Sequence, residues 1–176
     1  MRNLMRYALV IMGPAGAGKS LIGAALADAL HLSFVEGDAF HPPGNVALMA
    51  AGTPLDDEHR HGWLLALADQ LRVARAHGRG VVMSCSALKR RYRDLLRSAD
   101  DTACFIFLEA NADLLLERLQ VRTGHYMPAT LLGSQLTALE PPQHDECALT
   151  IDAGQEPAAI LAIILERLPA LQRGTA

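Results

Sequence analysis

Five short runs of apolar and β-branched residues are spaced along the chain, and stretches with helical periodicity lie between them. The apolar runs predict strands at Tyr7–Met12, Leu32–Glu36, Gly80–Cys85, Ala103–Leu108 and Ala148–Ile151. The helical spacing predicts helices at Lys19–Leu30, Glu58–His77, Ala87–Arg97, Ala112–Arg122, Pro128–Leu139 and Pro157–Leu168. Alternation of this kind favours an α/β fold in which helices cover both faces of a largely parallel sheet and ligands bind at the carboxyl ends of the strands.

Length and charge narrow the class of protein. The chain has 176 residues, of which 51% are hydrophobic and 20% charged, so we expect one domain over residues 1–176. A net charge of -3 argues against nucleic acid as the main partner. The apolar run Ala158–Leu165 is too short to span a bilayer. These features predict a cytoplasmic enzyme with neither a nucleic-acid nor a membrane partner.

The three cysteines, Cys85, Cys104 and Cys147, are widely spaced and fall in or beside apolar runs. No C-x-x-C pair suggests zinc or redox chemistry. We therefore expect three buried thiols in a reducing compartment.

A glycine-rich segment between the first strand and the first helix is the most informative motif. Gly13 to Ser20 reads GPAGAGKS and fits the phosphate-loop pattern G-x-x-x-x-G-K-[ST]. Backbone N–H groups of such a loop, together with the positive end of the following helix, enclose a triphosphate. The motif predicts binding of ATP or GTP, and no N-K-x-D guanine motif accompanies it.

The residues of the phosphate loop are expected to have different roles in nucleotide binding. Glycines at 13, 16 and 18 permit positive φ and close approach to phosphate. Lys19, one of only two lysines in the chain, is expected to reach the β- and γ-phosphates, and Ser20 to place its hydroxyl on Mg²⁺. The full set of expected nucleotide contacts is Gly13, Ala15, Gly16, Ala17, Gly18, Lys19, Ser20 and Leu21.

Candidate groups for a second substrate follow the second and third strands. Asp38 could orient an alcohol and accept its proton, or it could simply make an Asx-turn. Lys89, Arg93 and Arg97 recur every four residues and predict a cationic helix face. That face either captures an anionic group of a small substrate or is a solvated stripe.

A second arginine pair, Arg118 and Arg122, ends a predicted helix and precedes the sequence TGHYMP. These guanidinium groups could close over the triphosphate as part of a lid at about residues 118–140 and stabilise the transferring phosphoryl group. The alternative is favourable placement of cations at a helix C-terminus.

Taken in order, five segments resemble the small phosphate-loop gluconokinases, which are related to shikimate and adenylate kinases. They read GPAGAGKS, GDAFHPPGN, GTPLDDEHRHGWL, CSALKRRYRDLLR and RLQVRTGHYM. The resemblance implies a three-layer fold with strand order 2-3-1-4-5, a homodimer, and transfer of the γ-phosphoryl group of ATP, with Mg²⁺, to the 6-hydroxyl of D-gluconate.

Roles for individual residues are likewise implied by the resemblance. Asp38 would be the catalytic base, His41 and His125 would contact the sugar acid, and Arg118 and Arg122 would be lid arginines. Lys89, Arg93 and Arg60 would hold the carboxylate or hydroxyls of gluconate. The chain departs from the family pattern at Pro42-Pro43-Gly44, at Leu48 and at Gly62.

Two other classes of function fit the phosphate loop. One is a different small-molecule kinase, acting on shikimate or a nucleoside monophosphate. The other is a regulatory module that binds a nucleotide without transferring its phosphate. Turnover with each acceptor separates these alternatives.

Overall fold

A computed structural model describes residues 6–121 and 128–173 and has one five-stranded parallel sheet. The strands are β1 (Ala8–Met12), β2 (Ser33–Glu36), β3 (Val81–Ser84), β4 (Ala103–Glu109) and β5 (Ala148–Asp152), in the order β2-β3-β1-β4-β5. The helices are α1 (Lys19–Leu30), α2 (Pro43–Ala50), α3 (Asp57–Ala76), α4 (Arg90–Ala99), α5 (Ala112–Val121), α6 (Leu132–Ala138) and α7 (Pro157–Arg173). Short 3-10 turns occupy Gly37–Phe40 and Ala129–Leu131. The α/β fold and its strand order are confirmed.

Alternate residues of the central strands enter two separate cores. Leu9 and Ile11 of β1 belong to the core that includes α1 and α7. Val10 and Met12 belong to the core that includes Trp63 of α3 and residues of α4. Because both faces of β1 are covered, its five residues are all apolar and buried. The sheet is thus the middle of three layers.

Several helix boundaries differ from the sequence prediction; for example, the helix predicted from Pro128 begins only at Leu132, after a 3-10 turn. Helix α2 was not predicted; it begins at Pro43, whose fixed φ suits a first helical turn. Helix α4 begins at Arg90 and not at Ala87, because Ala87 has a positive φ of 43° and Lys89 is extended. Helix α7 continues through Pro169 to Arg173.

The expectation of three free thiols is wrong for two of the cysteines. Cys104 of β4 and Cys147, which precedes β5, form a disulfide. Their strands are neighbours in the sheet, a pairing that the 43-residue separation in sequence did not reveal. Cys85 is a free, buried thiol, and burial raises its pKa to about 12.

The predicted lid segment, residues 118–140, contains the end of α5, the second 3-10 turn and α6, with residues 122–127 outside the described part of the chain. Within the described residues, no helix combines the length and apolar character needed to cross a membrane.

Candidate active site

The phosphate loop follows β1 directly and has the backbone shape that its glycines predict. Gly13, Gly16 and Gly18 have φ values of 144°, 85° and 93°. A Cβ at Gly13 would lie 2.9 Å from the Leu108 carbonyl oxygen, and one at Gly16 would lie 2.8 Å from that of Leu115. Glycine is therefore required at positions 13 and 16 both for its conformation and for the close approach of neighbouring backbone.

An electropositive helix end faces the same space. Helix α1 begins at Lys19, has no acidic residue in its first turn, and among the described residues no side chain caps it. Its first N–H groups therefore favour an anion. The Lys19 ammonium donates to the Pro14 carbonyl oxygen at 3.0 Å, so it lies over the loop.

A cavity of about 310 Å³ lies beside this loop, at the carboxyl ends of the strands. Residues from several separate segments line it: Ala15, Gly16, Gly18, Lys19, Ser20, Leu21, Asp38, His41, Met49, Arg60, Ser86, Arg118 and Gln135. The fold thus brings the triphosphate-type loop together with an aspartate, a histidine and two arginines. The predicted loop contacts Gly13 and Ala17 are buried within the loop and do not line this cavity.

Another part of the cavity wall is built on the segment after β2 and on α3. Asp38 and His41 follow β2, and the His41 ring stacks on the Trp63 ring with 4.1 Å between centroids. Trp63 donates its indole N–H to the Gly37 carbonyl oxygen at 2.8 Å, which fixes the backbone beside Asp38. Burial lowers the pKa of His41 to about 4, so this ring is neutral near pH 7.

Arg60 of α3 is the buried cation of this wall. It is 9% exposed, and its Nε–H donates to the Leu55 carbonyl oxygen at 3.1 Å. Within residues 6–121 and 128–173, no carboxylate lies within ion-pair distance of it. Burial lowers the pKa of Arg60. A buried guanidinium in this situation favours an anionic ligand.

Arg118 lies between the main cavity and a second one. Its Nη2 donates to the Ala153 carbonyl oxygen at 2.8 Å, after β5. The second cavity, of about 210 Å³, is bounded by Gly16, Ala17, Gly18, Leu21, Ile22, Arg118, Ala153, Gln155, Pro157 and Ile160. Its lining is more apolar than that of the main cavity and includes loop residues but not Asp38.

Lys89 does not line the main cavity. Its ammonium donates to Asp57 at 3.0 Å, and Arg91 and the Tyr92 hydroxyl contact the same carboxylate. Asp57 therefore already neutralises the cation that we expected to hold a substrate.

Arg93 is also not brought to the cavity, and the expectation that it holds the substrate requires correction. Its side chain is fully buried and forms a two-pronged ion pair with Glu146, at 2.7 and 2.8 Å. Its Nη1 donates to the carbonyl oxygens of Ala87 and Glu140. Arg97 also contacts Glu146, at 3.3 Å. The predicted cationic face of α4 instead joins this helix to the segment before β5.

Two further predicted residues, Arg122 and His125, lie outside the described residues.

Three residues that line the cavity were not predicted from the sequence: Met49, Ser86 and Gln135. The sequence does single out Gln135. Its helical spacing from Leu131, Leu132 and Leu139 places it on the apolar face of its helix. A polar side chain on such a face needs a partner.

Comparison with known proteins first gives the class. A family model described as shikimate kinase matches residues 15–168. The solved shikimate kinase of Aquifex aeolicus vf5 shares the fold, with a TM-score of 0.63 and 14% identity over 92% of this chain and 95% of that chain. With the phosphate loop, these matches define a phosphate-loop kinase.

Closer relatives give the family. The gluconokinase of Gluconobacter oxydans (strain 621H) is 43% identical over 92% of this chain and 91% of its own length. The thermoresistant gluconokinase of Escherichia coli (strain K12) is 37% identical over 93% and 94%. The solved gluconokinase of Sinorhizobium meliloti 1021 has a TM-score of 0.86 and 41% identity, covering 96% of this chain and 94% of that chain. The chain belongs to the gluconokinase family.

Proposed function

We propose that this protein transfers the γ-phosphoryl group of ATP to the 6-hydroxyl of D-gluconate, giving 6-phospho-D-gluconate and ADP. The observation that carries the proposal is Arg60, a buried guanidinium without a carboxylate partner among the described residues, in the same cavity as Asp38 and the phosphate loop. Shikimate is also a carboxylate and could pair with Arg60, so gluconate is preferred on sequence grounds, since relatives that are 43% and 37% identical are gluconokinases.

The sugar acid is held along the wall formed by β2 and α3. Arg60 binds the carboxylate through charge-assisted hydrogen bonds. The neutral His41 ring is stacked on Trp63. It either donates a hydrogen bond to a hydroxyl of the sugar acid or accepts one from it, and it adds no charge. The 6-hydroxyl then points to Asp38, which lines the same cavity as the loop.

The nucleotide is held by the loop that contains Gly13 and Gly16 and by the N-terminus of α1. The Lys19 ammonium leaves the Pro14 carbonyl oxygen and contacts the β- and γ-phosphates. The more apolar second cavity, beside Gln155 and Pro157, receives the adenine ring.

Mg²⁺ fits the oxygen donors at this site. Magnesium is usually held by one or two protein oxygens, phosphate oxygens and water. The described residues contain no group of three His, Cys, Asp or Glu that could form an all-protein metal site. Ser20 lines the cavity, and its hydroxyl would hold the ion. When bound, Mg²⁺ neutralises charge on the β- and γ-phosphates.

In the transfer step, Asp38 accepts the proton of the 6-hydroxyl as that oxygen bonds to the γ-phosphorus. The bond between the γ-phosphorus and the bridging oxygen breaks, and its electron pair leaves with ADP. Lys19 and Arg118 stabilise negative charge on the transferring group, and Arg122 is proposed to join them. Proximity and charge neutralisation supply most of the rate enhancement.

A coupled assay of ADP release with gluconate, shikimate or AMP as acceptor tests this function. We expect turnover with gluconate and none with the other two. Turnover of shikimate or AMP with none of gluconate would identify a different kinase. Nucleotide binding without turnover of any acceptor would identify a regulatory module.

The variant Asp38→Asn tests the catalytic step. Removing the base should lower kcat by about 10²- to 10⁴-fold, whereas affinity for MgADP should stay close to wild type. Asp69→Asn, on an exposed part of α3, is the matched control and should retain full activity. An unchanged kcat in Asp38→Asn would remove this residue from the mechanism.

A further inference from the structure

Gln135 of α6 makes a buried contact with the phosphate loop. Its side chain is 6% exposed, and its Oε1 accepts the backbone N–H of Ala15 at 2.7 Å. The two residues are 120 positions apart in sequence, and both line the main cavity. An amide side chain thus reaches from the helix that ends the predicted lid segment to the middle of the nucleotide-binding loop.

The phosphate loop is rich in glycine, so its backbone conformation needs to be restrained by contacts with other parts of the protein. Gly13 and Gly16 have positive φ, and glycine loses more conformational freedom on ordering than any other residue. The Gly13 N–H donates to the Ser86 carbonyl oxygen at 3.2 Å, and the Ala17 N–H donates within the loop to Pro14. Gln135 adds a restraint at Ala15, between these two points.

Helix α6 is itself held firmly enough to provide this restraint. Leu131, just before the helix, packs with Met49 and Leu55, and Leu132 joins the core around β1. After the helix, the Glu140 N–H donates to the Leu88 carbonyl oxygen at 2.8 Å. The helix is therefore fixed at both ends.

The chemical type of residue 135 also suits its position. An acceptor is needed for the Ala15 N–H, and a neutral amide provides one without placing a negative charge beside bound phosphates. A glutamate would make the same hydrogen bond but would repel the nucleotide.

We propose that Gln135 is a positioning residue that holds the phosphate loop in its nucleotide-binding shape. Because Gln135 engages the Ala15 N–H, it acts indirectly: it fixes the loop backbone so that the other N–H groups of the loop can bind the phosphates. This proposal rests on one part of the proposed function, the binding of a nucleotide at the phosphate loop. It does not depend on which molecule receives the phosphoryl group.

Two variants separate this role from a general contribution to stability. Gln135→Met keeps the size of the side chain but loses the strong acceptor, which leaves the Ala15 N–H buried and unpaired. We expect affinity for MgADP and for MgATP to fall about tenfold, with the KM for ATP rising and the KM for gluconate unchanged. Gln70→Met, on α3 and outside the main cavity, is the matched control and should behave as wild type.

Gln135→Glu keeps the acceptor and adds charge. We expect a Tm near that of wild type and a loss of affinity that is larger for ATP than for ADP. If Gln135→Met does not fold, this variant decides the question. Wild-type affinity of Gln135→Glu for both MgADP and MgATP would then overturn the proposal.

Isothermal titration calorimetry with MgADP and MgATP, without acceptor, supplies these affinities. Wild-type affinity for both nucleotides in Gln135→Met would overturn the proposal. If the wild-type protein binds nucleotide but does not phosphorylate gluconate, the proposed function fails and the proposal for Gln135 stands.

Discussion

The cavity wall around Arg60 and the junction around Arg93 each bury an arginine, but the two arginines have opposite surroundings. Arg60 is 9% exposed and donates to one carbonyl oxygen, with no carboxylate among the described residues within ion-pair distance. Arg93 is 0% exposed and binds both oxygens of Glu146 as well as three backbone carbonyl oxygens.

This difference separates a binding cation from a structural one. Burying a charge without a partner costs stability, and a folded protein tolerates that cost where a ligand supplies the missing charge. A buried cation whose donors are already satisfied has little left to offer a ligand. Burial alone, or helical spacing alone, does not distinguish the two cases; the partners do.

Arg93→Met should have the largest effect on stability. It leaves Glu146 buried without its main cation, and breaking a buried ion pair in this way costs about 3–5 kcal/mol. Thermal unfolding monitored by circular dichroism should show a large decrease in Tm. Arg91→Met, which removes an exposed partner of Asp57, should cost at most about 1 kcal/mol.

The double variant Arg93→Met with Glu146→Leu should recover part of the lost stability, because it removes the uncompensated carboxylate as well. A wild-type Tm in Arg93→Met, together with a raised KM for gluconate, would contradict a structural role for Arg93.

Arg60→Met should have the opposite pattern. The KM for gluconate should rise about 10- to 150-fold, because hydrogen bonds to a charged group are worth about 1.5–3 kcal/mol. The Tm should be unchanged or higher, since an unpaired buried charge is removed. Arg72→Met, on an exposed part of α3, is the control. A large fall in Tm with an unchanged KM would place Arg60 in the same structural class as Arg93.

His41 gives a smaller, pH-dependent test of the same wall. Burial lowers its pKa to about 4, from 6.5 in the unfolded chain; the Asp38 carboxylate opposes this shift, and the charge of Arg60 adds to it. The unfolded state therefore binds more protons between these values, so stability should fall as pH decreases from 6.5 towards 4. His41→Phe, which preserves the stacking on Trp63, should show a flatter profile of Tm against pH between 6.5 and 5. Parallel profiles for the two proteins would show that His41 does not titrate in this way.

The features that could be predicted from the sequence are local ones. The phosphate loop is a run of eight residues whose glycines and lysine have their roles within the loop itself. Asp38 could be predicted because it comes directly after the apolar run of β2, and the carboxyl ends of parallel strands meet at one edge of the sheet. Placing Asp38 at this edge of the sheet required only the prediction that the second strand ends at Glu36.

The features that could not be predicted depend on distant partners. Arg93 and Arg97 share one face of α4, as their spacing predicts, but their partner Glu146 lies about fifty residues further along the chain. Asp57 likewise binds Lys89 from another helix. Helical periodicity identifies which residues share a face of a helix, but it does not show which other residues of the protein contact that face.

The central claim is that one cavity holds the carboxylate of gluconate at Arg60 and its 6-hydroxyl at Asp38, facing the phosphate loop. A crystal structure with gluconate and a non-hydrolysable ATP analogue tests it most directly. We predict hydrogen bonds from the Arg60 guanidinium to the carboxylate and from the 6-hydroxyl to Asp38, with the γ-phosphate in line. Gluconate bound instead at Lys89 or Arg93, or a 6-hydroxyl distant from Asp38, would contradict the account.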